Sequence, residues 1–107
     1  MPMINIKYDS DKVKDEEIVL LSKAVQKIVQ YTTKIPEVFV YADSPKIRID
    51  VAPIEIFIEM NVTKISDREQ LFQDIKTNLS EWKKVNNFNN PITITLTPMD
   101  WRFDVDI

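Results

Sequence analysis

The chain contains no glycine, no histidine and no cysteine. Each absence removes a class of chemistry. Without glycine there is no phosphate-cradling loop of the P-loop or dinucleotide-binding kind, because those need a backbone able to approach phosphate closely. Without histidine the commonest general base and the usual zinc ligand are missing. Without cysteine there is neither a disulfide staple nor a thiolate nucleophile. No apolar run approaches the length of a membrane span. The first residues lack the basic and apolar regions of a secretory signal, so a cytoplasmic location is expected. Any catalysis must come from carboxylates, lysines, tyrosines, hydroxyls or a chain terminus.

What is present suits one globular domain over residues 1–107. Hydrophobic residues make up 44% and charged residues 29%, an ordinary balance for a chain that buries a core. The net charge is −3, so non-specific attraction to nucleic acid or to an anionic membrane is not expected.

The apolar spacing predicts two βαβ halves. In "MINIKY" (3–8), Ile4, Ile6 and Tyr8 alternate with Asn5 and Lys7, the period of a strand. From about Glu16 to Tyr31, Ile18, Leu21, Val25, Ile28 and Val29 recur at helical spacing. "TTKIPE" stops that helix, and "VFVYA" (38–42) is a strand. The second half repeats the plan. "IEIFIEMNV" (54–62) is a strand, and "SDRE" has the form of a capping box with Ser66 as the cap. A helix follows to about Lys84, then strand "ITITLT" (92–97). After Pro98, "WRFDV" (101–105) reads as a short terminal strand.

The expected fold is therefore α+β: a four-stranded mixed sheet with two right-handed crossover helices on one face. The other sheet face carries Asn5, Lys7, Glu55, Glu59 and three threonines, with Phe39, Tyr41 and Phe57 among them. That face suits either solvent or the wet centre of an oligomer. Glu55 and Glu59 have no partner acid or metal-ligand spacing and read as a polar sheet face. Arg48 reads as a solvated loop charge, Lys34 as a helix C-terminal cation favoured by the macrodipole, and Trp82 as core. The same element order also fits ferredoxin-like domains that bind small ligands or partners without chemistry. An RNA-binding version is disfavoured by the acidic balance and the missing basic–aromatic signature.

Met1-Pro2 leading into "MINIKY", together with "TTKIPEVFVYA", "IFIEMNVTKIS" and the ending "ITLTPMDW", resembles the tautomerase superfamily. That superfamily includes macrophage migration inhibitory factor and the 4-oxalocrotonate isomerases. The resemblance implies that Met1 is removed and that the secondary amine of Pro2 acts as general base. An α-amino group titrates near 8 in model peptides, and burial or nearby cations lower that value. Such a base needs no metal or cofactor, and the resemblance implies none. It further implies a small anionic carbonyl or enol substrate and a homotrimer with sites at subunit interfaces. Lys34 matches the lysine beside the proline, and Val62 a position whose backbone N–H contacts substrate. Thr95 falls near a position where an asparagine commonly stands, and Trp101 or Phe103 of a neighbouring subunit would form an apolar wall. Arg48 and Arg102 stand in loosely for carboxylate-binding arginines. The glycines usual after the third strand are replaced by "TKISD", and no pocket-closing aromatic stands near Thr93. A non-enzymatic, oligomeric binding protein of the same fold is the alternative.

Overall fold

A computed structural model describes the whole chain, Met1–Ile107. Strand β1 (Met3–Tyr8) is followed by helix α1 (Asp15–Thr33) and strand β2 (Phe39–Asp43). The second half runs β3 (Ile54–Asn61), a single 3₁₀ turn (Val62–Lys64), α2 (Arg68–Val85) and β4 (Thr93–Met99). The sheet order is β2-β1-β3-β4. β1 pairs parallel to β2 and antiparallel to β3, and β3 pairs parallel to β4. Each parallel pair needs a long crossover, and the two helices supply them. The expected four-stranded mixed sheet with two helices is what forms.

Strand periodicity sorts the side chains into two faces. Ile4, Ile6, Ile54, Ile56, Ile58 and Met60 are essentially inaccessible to water. They meet Ile18, Leu21, Val25 and Val29 from α1 and Ile75 and Leu79 from α2 in one continuous core. Trp82 packs against its margin, with its ring 5.4 Å from that of Phe88. Across the opposite face the register aligns three rows: Phe39–Met3–Glu59–Thr97, Tyr41–Asn5–Phe57–Thr95 and Asp43–Lys7–Glu55–Thr93. This face has no helical cover, and Phe39 and Tyr41 remain exposed on it.

Three local expectations are corrected. Asp67, not Ser66, caps α2, its carboxylate accepting the Gln70 N–H at 3.0 Å. Both residues are good caps, and the one adjacent to the first helical residue wins. β4 does not stop at Thr97 but runs through Pro98 to Met99. It is an edge strand, where a missing N–H costs no ladder bond. Finally, residues 101–107 form no strand. A strand needs a partner edge, and a single chain offers none there. Phe103, Val105 and Ile107 consequently lie in the open.

A chain without glycine must use other residues wherever φ is positive. Four do so: Asp50, Asn87, Asp106 and Lys34, with φ of 53°, 52°, 57° and 58°. Asn and Asp tolerate the left-handed region through local hydrogen bonding, whereas lysine has no such relief. Lys34 takes up this conformation to end α1, at a cost of about 1 kcal/mol.

Candidate active site

Pro2 is fully buried at the head of β1. Its carbonyl accepts the Phe39 N–H at 3.2 Å, which ties it to the start of β2. In the full chain its nitrogen is the Met1–Pro2 amide, with no basic lone pair. The antiparallel register of Met3 with Glu59 brings the end of β3 alongside, so Met60, Asn61 and Val62 border the N-terminus. The pairing of Met60 with Pro98 and Asn61 with Met99 adds the end of β4. Because β2 runs parallel to β1, the α1–β2 turn containing Lys34 arrives at the same end of the sheet.

Asn61 joins these segments. Its side-chain oxygen accepts the Thr63 N–H at 3.1 Å and the Thr63 hydroxyl at 3.0 Å. Its amide nitrogen donates to the Trp101 carbonyl at 3.2 Å. One side chain thus shapes the 3₁₀ turn containing Val62 and holds the chain beyond β4. Val62, Ile65, Ser66, Arg68 and Pro98 line a cavity of about 310 Å³ here. Arg68 was not anticipated from the sequence. Its position in "SDRE" suggests only a helix start, and it lines this cavity because α2 begins beside the end of β3. Lys34 is exposed, with Nζ 6.0 Å above the centre of the Tyr31 ring. Neither Lys34 nor Arg68 has a carboxylate partner within 4 Å.

Of the residues singled out from the sequence, the structure therefore places Pro2, Lys34, Val62 and Trp101 at one end of the sheet. Thr95 lies in the middle row of the open face, exposed and away from Pro2. Arg48 stands at the opposite end, and it is not a solvated loop charge. Its side chain is only 17% exposed. It donates to the Ser44 hydroxyl at 2.8 Å, the Pro45 carbonyl at 2.7 Å and Asp11 at 3.1 Å, and its Nε lies 3.3 Å from the carboxylate of buried Asp9. A guanidinium with its donors so committed is not free to receive a substrate carboxylate from within its own chain. It straps the 44–52 loop to the β1–α1 connection. A second cavity, about 360 Å³ and floored by Phe57, forms beneath that strap between Lys7, Tyr8, Val51 and Glu55. At its rim the Tyr8 hydroxyl donates to Asp15 at 2.7 Å. That hydrogen bond, with some burial and the nearby negative charge, raises the Tyr8 phenol above its ordinary value.

No protein-family model and no curated protein sequence matches the chain. Solved structures do. Malonate semialdehyde decarboxylase, solved as wild type, as an inactivated form and as a mutant with alanine for the proline at its first position, is 10% identical. The likeness covers 98% of this chain and 92% of that one, with a TM-score of 0.72. A domain of unknown function from Sebaldella termitidis is 15% identical over 100% of this chain and 98% of its own, with a TM-score of 0.69. A fused wild-type 4-OT, an asymmetric trimer, is 11% identical over 91% and 85%, with a TM-score of 0.64. The chain shares the fold of these proteins, as the sequence resemblance implied.

The Arg48 strap makes a checkable statement. Arg48→Ala leaves Asp9 buried without its guanidinium partner, a loss of roughly 3 kcal/mol for a buried pair. A clear fall in the urea midpoint is expected. An unchanged midpoint would show the strap to be incidental.

Proposed function

We propose that the processed protein, beginning at Pro2, is a keto–enol tautomerase acting on a small anionic keto acid or enol. The observation that carries this reading is Pro2 itself: it is buried, held by its carbonyl, and set at the head of an inner strand. Removal of Met1 turns an inert amide into a secondary amine at that fixed place. The amine takes a proton from the carbon next to a carbonyl, and the electron pair of the broken C–H bond forms the C=C bond of an enolate. The resulting ammonium returns the proton to the enolate oxygen, giving the enol. In general, burial and nearby cations disfavour an ammonium, and Lys34 and Arg68 at this end of the sheet are cations without carboxylate partners. The same charges favour an anionic substrate, and the cavity at Val62 and Arg68 lies at this end of the sheet. Malonate semialdehyde decarboxylase, with its first-position proline, supports the reading by analogy of fold.

A homotrimer assembled through the open sheet face is part of this proposal. Phe39 and Tyr41 on that face, Ile47 and Ile49 on the strapped loop, and Phe103 and Val105 on the tail are all exposed in one chain. Thr95 and Arg48 lie away from the Pro2 of their own chain, so only a neighbouring copy could bring them to such a site. The trimeric 4-OT supports this arrangement. A non-catalytic binding protein is the second reading, favoured if Met1 stays attached.

Three experiments test these statements. The protein with Met1 retained and the protein beginning at Pro2 are compared on phenylpyruvate enol and 2-hydroxymuconate. The processed form should be roughly 10² to 10⁴-fold more active, the usual worth of an acid–base group, and its rate should rise with pH as the amine loses its proton. Equal rates in both forms would exclude proline as the base. Lys34→Gly separates two roles: it relieves the left-handed strain, raising stability by about 1 kcal/mol, while weakening binding of the anion. Unchanged affinity would remove Lys34 from the site. Light scattering at micromolar concentration should give three times the 12.6 kDa chain mass, and a stable monomer would contradict the trimer.

A further inference from the structure

Among side-chain polar atoms shielded from water, one alone lacks a hydrogen-bond partner: the indole Nε1 of Trp101. A buried donor without an acceptor costs about 1–3 kcal/mol, so such atoms are rare in folded proteins. Tryptophan's indole nitrogen can only donate, which means the missing partner is an acceptor. The residue is not loosely placed. Its carbonyl is held by Asn61 Nδ2, and Asn61 occupies the position on β3 where β1 runs out toward Met1. Trp101 is therefore fastened to the residue that borders the N-terminus, at the end of the sheet where Pro2 lies. Met1 is half-buried at that end, so its removal vacates space there.

We propose that the Trp101 indole N–H is the hydrogen-bond donor for the carbonyl oxygen of a keto acid bound against Pro2. This rests on the reading of Pro2 given above and assigns the recognition of the oxygen atom. When Pro2 removes the α-proton, negative charge gathers on that oxygen. A donor already fixed in place, and screened from water, holds the enolate more strongly than the ketone, and so acts on the rate more than on binding. The lysine and arginine at this end then serve the substrate's carboxylate, and the indole serves its reacting oxygen. In this role Trp101 is more than an apolar wall.

The test uses ¹⁵N-labelled protein beginning at Pro2, with phenylpyruvate as the probe. The chain has two tryptophans, so the Trp101 indole signal is identified by its loss in Trp101→Phe. On adding phenylpyruvate the Trp101 indole proton should move downfield while that of Trp82 stays. Trp101→Phe keeps a ring and removes the donor. It should lower kcat by about 10²-fold, the lower end for loss of an oxyanion donor, with a smaller change in KM and the pH profile unchanged. A wild type that turns over phenylpyruvate with an unmoved indole signal, or a Trp101→Phe variant with full kcat, would overturn the assignment and leave Pro2 as the base. An indole shift on binding without turnover would keep the donor and discard the catalytic reading. No binding at all would discard both. Should Trp101→Phe fail to fold, Trp82→Phe leaves the Trp101 indole as the one remaining signal, and its shift decides.

Discussion

β1 is an inner strand, and the rest of the candidate site depends on that. It is hydrogen-bonded on both sides, to β2 and to β3, so its first residues inherit a position fixed by two neighbours. A chain terminus ordinarily frays. Here the residue after Met1 is as buried as the centre of the core, although it lies outside the strand proper. The parallel pairing on one side delivers the α1–β2 turn, and the antiparallel pairing on the other delivers the end of β3. A different strand order would scatter these segments to opposite ends of the sheet.

The two ends of the sheet are built on contrasting principles. Around Arg48 charge is closed on itself: cation, two carboxylates, a hydroxyl and a carbonyl satisfy one another, and what results is a fixed loop. Around Pro2 charge is left open. Lys34 and Arg68 have no carboxylate, a strained backbone holds one of them, and an indole N–H has no acceptor. Closed networks contribute order, whereas unsatisfied groups are the ones with something left to offer a ligand.

The legible part of the fold is the part written at short range. Alternation in "MINIKY" and "IEIFIEM" and helical spacing in α1 and α2 set the elements and the buried face, because strand and helix periods differ enough to be told apart over six residues or more. Of the candidate site, chain order alone places Pro2 ahead of β1 and Lys34 after α1. The site was not legible where distant segments meet. The partners of Arg48 at Asp9 and Asp11 are nearly forty positions away, and no local pattern marks them. The same holds for Arg68 beside Pro98 and for Trp101 beside Asn61. The terminal strand expected at 101–105 failed for a related reason. Its alternation is real, but pairing is a property of two segments, and one chain supplies only one of them.

Strand order also bears on time. No two strands of this sheet form a hairpin: Met3 pairs with Phe39 and Glu59, and Glu55 with Thr93. Topologies made only of such distant pairings fold slowly, because a long loop must close before any pair is rewarded. β1 precedes both of its partners in the chain, so its pairing waits until they have followed. Pro2 is therefore enclosed only when β2 and β3 have taken their places beside β1. The strand that comes first among the four is the one whose place is settled late, and the burial of Pro2 is a property of the finished sheet.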